Sequence, residues 1–375
     1  MKHLDEYRDG NLARGIAARI ASEAKPERSY SFMEFCGGHT HAISRYGLED
    51  ILPQNIRLIH GPGCPVCVLP IGRIDEAIEL SRNPQVTLCV YGDLMRVPGS
   101  NGASLTKAKA GGADIRMVYS TLEAIDIALR EPSREIVFFA IGFETTTPPT
   151  VMAIRLAQKK GLKNFSIFCN HVLTPAAMRQ ILEASDPLPL EGFIGPAHVS
   201  TVIGTAPYEV FAKEFAKPVV IAGFEPLDVM QAILMLVRQV NDGCAEVENE
   251  YIRAVTKEGN HIAQQEIAEV LELRESFEWR GLGEIPKSAL RLREAYGDYD
   301  AERRFPMQQR FARDNPACEC GPILRGLKQP RDCKLFGTAC TPETPMGACM
   351  VSSEGSCAAY WAYGRFRESQ RRAAE

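Results

Sequence analysis

The residues with the clearest chemical potential are cysteines, of which the chain has 12. Half of them lie close to the carboxyl end, in a stretch that glycine and proline divide into turns too short for regular packing to order alone. They are Cys318, Cys320, Cys333, Cys340, Cys349 and Cys357. Thiolates gathered from loops bind metal, and a metal centre would supply the missing cross-links. This segment therefore predicts a metal site.

Two metals suit such a site. Structural zinc usually takes its cysteines from two short CxxC pairs, whereas the cysteines from Cys333 to Cys357 are separated by long gaps. Four thiolates from widely spaced loops are more typical of a cubane iron–sulfur cluster. The sequence favours iron–sulfur, and zinc stays as the alternative because all-thiolate sites accept both metals.

A further cysteine, Cys36, leaves a predicted strand and enters a loop that runs from Gly37 to His41. Two glycines there would free backbone amides to face a ligand, and the start of the next helix would lower the pKa of the thiol. We therefore expect a thiolate at neutral pH. The alternative is a half-buried cysteine before a tight turn, and His39 and His41 are expected to bond the backbone rather than a metal.

Cys64 and Cys67 form a CxxC motif in the turn GPGCPVC. This spacing allows a small disulfide ring, and Pro65 stiffens the loop as in thioredoxin-like redox sites. Half of a zinc knuckle is the alternative, but it needs a second pair, and Cys36 would add only one sulfur. The motif thus favours a redox pair or a partial metal site.

Other polar residues at strand ends are weaker candidates. The segment GFETTTP, from Gly142, lacks a lysine in Walker spacing and does not support ATP binding. Glu144 and Glu225 could act as general bases, although capping the next helix is the commoner role of such carboxylates. We expect His171 and His198 to be structural. Buried apolar positions are expected for Cys89, Cys169 and Cys244.

Composition limits the class of protein. The 375 residues are 45% hydrophobic and 24% charged, which is enough for two or three domains. A net charge of −4 gives no general attraction to nucleic acid or anionic membranes. The chain begins without an apolar signal segment and has no hydrophobic run of membrane length. We expect a cytoplasmic protein, in which a disulfide framework is unusual.

Short apolar runs that end in glycine or a polar turn recur between residues 30 and 225, separated by helix-length segments. Strands are predicted at Phe32–Phe35, Ile56–Ile59, Val86–Tyr91, Ile115–Tyr119, Ile136–Ile141, Phe165–Phe168, Phe193–Ile194 and Val219–Ala222. This alternation predicts an α/β fold with open parallel sheets and right-handed crossovers.

An internal similarity suggests two α/β units. The strands at Phe32 and Phe165 each end in a cysteine that a histidine follows, and a Gly-Pro turn comes later in both copies. We predict a first domain over 29–120, a second over 121–225, and chemistry in the cleft between them. Residues 1–28 and 226–375 would form a third, mainly helical and loop-rich region. Its first helix would have Pro226 near its first turn and Gly243 beyond its end, and a charged amphipathic helix over 247–273 would be interrupted near Gly259.

The four motifs CGGHTH, GPGCPVC, GFETTTP and PMGACMVSSEGSCAAY occur in this order along nearly the whole chain. Together they resemble the HypD family of nickel–iron hydrogenase maturation factors. The resemblance implies two similar α/β domains and a third domain that carries a 4Fe-4S cluster. It also implies a scaffold with redox activity on which iron receives cyanide and carbonyl to form Fe(CN)2CO. The implied partners are the small chaperone HypC and the cyanide-delivering factor HypE.

The resemblance assigns roles to particular cysteines. The iron-site cysteine of the family falls on Cys36, and its CxxC pair, which would hold iron or act as a thiol redox pair, falls on Cys64 and Cys67. The implied cluster ligands are Cys333, Cys340, Cys349 and Cys357. Cys318 and Cys320 would then be a nearby redox or structural pair. The alternatives are an iron–sulfur-dependent thiol–disulfide reductase and a zinc-stabilised binding module.

Overall fold

A computed structural model of the chain describes residues 5–186, 188–307, 312 and 314–365. All eight strands predicted from apolar runs are present, and they are the first eight strands among the described residues. In chain order the strands are β1 Tyr30–Glu34, β2 Ile56–His60, β3 Val86–Val90, β4 Ile115–Met117, β5 Glu135–Gly142, β6 Phe165–His171, β7 Gly192–Pro196, β8 Val219–Ala222, β9 Val247–Asn249, β10 Leu271–Leu273, β11 Ser276–Trp279, β12 Gly283–Pro286 and β13 Leu290–Leu292.

Helices separate most of these strands. They are α1 Gly10–Glu23, α2 Gly37–Tyr46, α3 Leu48–Ile51, α4 Pro65–Val68, α5 Ile71–Ser81, α6 Leu105–Ala110, α7 Thr121–Arg130, α8 Thr147–Lys159, α9 Thr174–Leu182, α10 Ala197–Ile203, α11 Glu209–Phe215, α12 Pro226–Asp242, α13 His261–Val270, α14 Ala301–Arg304, α15 Cys320–Leu324 and α16 Ser356–Ala359. Short 3-10 helices lie at Asp5–Arg8, Gly92–Arg96, Ser100–Gly102, Ala206–Tyr208, Glu294–Tyr299, Pro330–Asp332 and Ala348–Met350, with a π turn at Tyr360–Gly364. Among the residues described, no helix has the length and apolar character needed to cross a membrane.

Two parallel sheets form the framework. Sheet A has the strand order β2-β1-β7-β8-β9, and sheet B has the order β4-β3-β5-β6. If the strands of each sheet are numbered in chain order, the first four of both sheets have the spatial order 2-1-3-4. The predicted α/β class with two similar open sheets is confirmed.

The strands do not divide at the predicted domain boundaries. All of sheet B lies between β2 and β7 in the chain, so its unit is inserted into that of sheet A. A boundary at residue 120 would separate β3 and β4 from the strands they pair with. The matched strands at Phe32 and Phe165 are also not equivalent, since the first opens sheet A and the second closes sheet B. Apolar runs show where strands occur but not which sheet they join.

The region beyond residue 223 differs in part from the prediction. Helix α12 begins at Pro226 and ends before Gly243, whose φ is 68°, as predicted. Residues 247–273 do not form one helix, because β9 extends sheet A, Gly259 adopts a φ of 72°, and Asn260 then caps α13. Strands β10 to β13 form two antiparallel pairs, so a mainly helical third region is not confirmed.

The core joins these parts into layers. The outer face of sheet A packs on α1, α2 and α12, and the outer face of sheet B packs on α7 and α8. The other faces of the two sheets contribute to one connected apolar core, which includes Phe139 of sheet B and Phe193 of sheet A. That core also contains Cys67 and Cys349, so the cysteine-rich tail is packed against both sheets.

Candidate thiol and metal site

Cys36 lies at the carboxyl edge of sheet A. It follows β1 and is the N-cap residue of α2, where its Sγ accepts the Gly38 N–H at 3.3 Å. Strand β1 pairs with β7, and α10 after β7 places His198 Nδ1 3.4 Å from Cys36 Sγ. Because β1 and β7 are the first and third strands of sheet A in chain order, this is the switch point where open α/β sheets bind ligands.

A buried carboxylate holds this loop in place. Glu34, which is fully buried, accepts the Cys36 backbone N–H at 2.8 Å and a hydrogen bond from Thr40. Its Oε1 also lies 2.8 Å from His60 Nδ1. Burial alone would lower the pKa of His60, but the bond to Glu34 outweighs it and raises the pKa. The backbone of Cys36 is therefore anchored to the body of sheet A.

Close backbone approach explains the glycines of both motifs. The Gly37 N–H donates to Gly63 O at 3.3 Å, which joins the Cys36 loop to the CxxC loop. A Cβ on Gly63 would overlap the backbone of Cys36, and a Cβ on Gly37 would overlap Glu354 of the tail. Three distant segments of the chain thus meet at Cys36, in a space that only glycine permits.

The expected thiolate at Cys36 is not found. Burial, and then the charges of Glu354 and Glu34, raise the pKa of Cys36 well above its usual value and outweigh the N–H groups of Gly38 and His39. Burial, with a smaller effect of His39, lowers the pKa of His198 to about 4. A neutral thiol therefore faces a neutral imidazole near pH 7. The prediction was wrong because the sequence showed the helix start but not the burial.

The CxxC motif forms a disulfide. Cys64 is the N-cap residue of α4, Pro65 is the first helical residue, and Cys64 and Cys67 are bonded to each other. The predicted closeness of these sulfurs is confirmed. Both residues are buried, and Cys67 Sγ lies 3.9 Å from Ala348 O, beside Cys349 of the tail. The disulfide thus lies between Cys36 and the cysteine-rich segment.

The tail cysteines form a group around Cys320. Its sulfur and that of Cys318 both border Gly347, where an added Cβ would lie 2.4 Å from Cys320 Sγ and 2.5 Å from Cys318 Sγ. Interaction with Cys320 lowers the pKa of Cys318 to about 7, and interaction with Cys318, and then with Cys349, raises the pKa of Cys320 well above its usual value. Cys357 interacts with Cys320, and Cys333 and Cys340 interact with this group through charge. The sulfurs of Cys318 and Cys320 therefore lie with two of the implied ligands rather than apart from them.

No three Cys, His, Asp or Glu side chains of the described residues are arranged to hold a single metal ion. A cubane cluster makes a different demand, since each of its irons takes one thiolate and the sulfurs surround a larger space. The group around Cys320, with Cys340 and Cys333 nearby, meets that demand in donor type and number. The donor set fits an iron–sulfur cluster better than a chelated ion.

A cleft of about 460 Å³ opens beside Cys36 between the two sheets. Its lining includes Asp93 after β3, Thr145 after β5, His198 after β7, and Glu354 of the tail. The switch points of both sheets therefore face one space. A larger groove of about 1190 Å³ lies at the amino edge of sheet B, and no cysteine lines it.

The weaker candidates have structural roles. His39 Nε2 lies 2.9 Å from Gly223 O, His41 Nε2 lies 3.1 Å from Tyr363 Oη, and His171 Nε2 lies 2.9 Å from Thr150 Oγ1. Glu144 accepts both the N–H and the hydroxyl of Thr174 at the start of α9, and Glu225 pairs with Arg8 at the start of α12. The backbone role of His39 is confirmed, and Glu225 caps the next helix, α12, as predicted. His41 instead contacts a side chain, and Glu144 holds the start of α9 rather than that of the next helix, α8. The remaining cysteines are Cys89 and Cys169, which are buried as predicted, and Cys244, which is exposed.

Two residues of the site were missed from the sequence. His198 was expected to be structural, although its position directly after a strand, in GPAHVS, resembles that of the histidines after Cys36. Glu354 gave no signal, because its approach to Gly37 depends on how the tail folds back over 300 residues of chain. The position of His198 at a strand end could have identified it as a site residue. No sequence pattern indicated where the tail, and with it Glu354, would lie.

Comparison with known proteins agrees with the motifs. The model of the HypD family, described as the hydrogenase formation hypA family, matches residues 11–364. The hydrogenase maturation factor HypD of Rhizobium leguminosarum bv. viciae is 72% identical over 376 residues, covering 99% of this chain and 98% of that protein. HypD of Escherichia coli (strain K12) is 45% identical over 375 residues, covering 99% of this chain and 100% of that protein. The chain belongs to the HypD family of hydrogenase maturation factors.

Proposed function

We propose that the chain is the scaffold on which ferrous iron receives cyanide and carbonyl to form Fe(CN)2CO. In this proposal it acts with HypC, receives cyanide through HypE, and works in the cytoplasm, where thiols stay reduced. The observation that carries the proposal is the meeting of Cys36, the CxxC loop and His198 at the switch point of sheet A. This meeting puts a soft donor next to the cleft that His198 and Glu354 line.

The chemistry of Cys36 suits iron as cargo. The buried thiol is neutral when free, and iron binding replaces its proton, because a coordinating thiol is deprotonated. His198 is neutral, lies 3.4 Å away and lines the cleft, so its ring can relay that proton to the cleft, although its low pKa prevents it from keeping the proton near pH 7. Thiolate is a soft donor of the kind that suits iron carrying cyanide and carbonyl. Cys36 thus binds the iron, and His198 passes on the released proton.

The CxxC pair adds an electron store. Opening the Cys64–Cys67 disulfide takes up two electrons and two protons and yields two further thiols close to Cys36. Those thiols would be able to hold iron, and closing the ring again would return the electrons. The contact of Cys67 with Ala348 supports electron exchange with the tail cysteines.

We assign a 4Fe-4S cluster to the tail. Cys349 and Cys357 belong both to the set implied by resemblance and to the group around Cys320. Two observations therefore support their assignment as cluster ligands. Cys333 and Cys340 complete the implied set, while Cys318 and Cys320 are the competing donors. When bound, the cluster supplies single electrons for the disulfide.

A thiol–disulfide reductase that acts on other proteins is the alternative. The disulfide beside a cysteine-rich tail favours it, but exchange requires that an external thiolate reaches one of the sulfurs. Cys64 is 3% exposed and Cys67 is fully buried, which blocks that approach in this conformation. Burial therefore favours the scaffold.

Infrared spectroscopy separates the two functions. We expect cyanide and carbonyl stretches from the anaerobically purified chain when it is produced with HypC and HypE, and none when HypE is omitted. A reductase would show no such bands under either condition. Iron and acid-labile sulfide analysis of the same samples tests the cluster and would reveal zinc instead.

A further inference from the structure

One buried cation of the shared core lacks a hydrogen-bond partner. The side chain of Arg280 is 1% exposed, and none of its three guanidinium nitrogens has a hydrogen-bond partner among the residues described. Asp314 Oδ1 lies 3.6 Å from Arg280 Nε, which is too long for a hydrogen bond. In the sequence, residues 308 to 313 contain no aspartate or glutamate. Apart from this ion pair with Asp314, the buried guanidinium has no acceptor for its N–H groups in the described part of the chain, which is unfavourable unless a further anion accepts from them.

The place of Arg280 in the fold is specific. It follows β11, and its backbone N–H donates to Val68 O at 2.8 Å, at the end of the helix that carries the CxxC disulfide. The next residue, Gly281, has a φ of 80° and packs so closely on Gly321 that a Cβ would lie 2.7 Å from its Cα. Gly321 directly follows Cys320. The hairpin thus wedges Arg280 between the disulfide and the tail cysteines.

The charge of Arg280 reaches those cysteines. Arg280 interacts electrostatically with both Cys318 and Cys349, which agrees with the packing of its neighbour Gly281 on Gly321. A fixed cation with free N–H groups therefore faces a group of sulfurs that must become anionic to bind metal. No other buried charged side chain of the described residues has every side-chain nitrogen or oxygen without a hydrogen bond.

We propose that Arg280 is the counter-ion of the tail metal centre, and that its guanidinium donates hydrogen bonds to sulfur atoms of an anionic 4Fe-4S cluster and its cysteine ligands. This inference rests on the proposed function, which assigns that cluster to the tail. Arginine suits this role because it is always charged, is weakly hydrated and presents several donors in a rigid fork. Arg280 is a positioning residue, and it does not itself carry electrons.

A counter-ion has a measurable consequence. Reduction adds one electron to a group that is already negative, so a buried cation beside it stabilises the reduced form more than the oxidised form. Net charge and hydrogen bonds to sulfur are two of the properties that set the potential of such clusters. Arg280 therefore raises the reduction potential of the tail centre and eases its loading with single electrons.

The test is a redox titration of the full chain, purified anaerobically and followed by electron paramagnetic resonance. In Arg280→Met, which keeps a long apolar stem without the charge, we expect iron and sulfide content to be retained. The reduction equilibrium should fall about tenfold, which is ~59 mV for one electron. Arg280→Lys should show a smaller fall, since it keeps the charge but not the fork. The control is Arg291→Met, whose arginine is 50% exposed and pairs with Glu272, and it should not shift.

The outcomes are distinct. An unchanged potential in Arg280→Met would overturn the inference and leave the proposed function standing. Loss of the cluster from Arg280→Met but not from Arg280→Lys would support the inference, because lysine keeps the positive charge and methionine does not. Loss from both variants, with circular dichroism unchanged, would show a structural anchor and overturn it. Absence of iron and sulfide from the unmodified chain would instead remove the proposed cluster.

Discussion

The reactivity of Cys36 is decided by burial rather than by its position at a helix start. An N-cap cysteine with an N–H directed at its sulfur would normally be acidified, yet burial and two nearby carboxylates raise the pKa of this thiol. A neutral thiol resists oxidation and alkylation, which depend on the thiolate. Cys36 is therefore unreactive until a metal ion displaces its proton. In the proposed function, this low reactivity protects the thiol between rounds of iron loading.

Gly63 tests the close approach of the two loops. Gly63→Ala would push its new Cβ into the Cys36 backbone, and overpacking of this kind costs about 3 kcal/mol. We expect a lower free energy of unfolding in urea and impaired iron loading.

The matched control is Gly15→Ala. Gly15 lies within α1 and has nothing within 4 Å of the Cβ position, so alanine there should stabilise the chain by about 1 kcal/mol. Equal stability of the two variants would contradict the close approach at Gly63.

At the scale of elements, the sequence predicted where strands occur better than how they assemble. The eight predicted strands are present because buried parallel strands are short apolar runs that glycine or polar turns end. Their partition between sheets was wrong, since the insertion of sheet B leaves no mark in local composition. The helix expected over 247–273 is interrupted at Gly259 as predicted, and the residues after it form α13. The part before it was wrong, because its charged residues belong to a half-buried edge strand, β9.

The N-terminal helix shows how a surface contact holds an element. Helix α1 packs on α12, as predicted, and Arg238 binds Glu23 through two hydrogen bonds of 2.7 and 2.8 Å. Hydrogen bonds from Arg238 and then Arg19 lower the pKa of Glu23 to about 2 from 4.5. This pair therefore stabilises the folded chain above about pH 4.5, and the contribution is lost as the pH falls toward 2.

Glu23→Gln removes that contribution. We expect the variant to be less stable by about 1 kcal/mol at pH 7, and the difference from the unmodified chain to narrow below pH 4.5. Thermal unfolding of both proteins between pH 7 and pH 2 measures this difference in stability. Glu27→Gln, at an exposed turn residue, is the control and should match the unmodified chain at every pH. A difference that widens in acid would refute the pairing.

At the scale of the whole molecule, one core connects the sheets and the tail. Cys67, Cys349 and Phe193 belong to the same cluster of buried side chains, although they come from three distant parts of the chain. The sequence identified candidate cysteines in three separate segments, but not that the tail would return to lie against the CxxC loop. That return depends on long-range packing, as in the fit of Gly37 against Glu354, which no local pattern encodes.

This shared core predicts a single unfolding event. Removal of the proposed tail cluster from the anaerobic protein with a chelator should lower the melting temperature of the entire chain by roughly 5 °C, because a metal bound only by the native state stabilises all that unfolds with it. Scanning calorimetry measures the effect. Two separate transitions, of which only one shifts, would contradict the coupling of the tail to both sheets.

The central claim is that Cys36 holds the iron while it receives its diatomic ligands. The most direct measurement compares infrared spectra of Cys36→Ala and Cys89→Ala, each purified anaerobically after production with HypC and HypE. Cys89 is an apt control because it is also a fully buried thiol whose pKa burial raises, to about 12. We predict that Cys36→Ala lacks the cyanide and carbonyl bands and keeps the visible absorption of the tail cluster, whereas Cys89→Ala keeps both. Bands of equal intensity in the two variants would contradict the account.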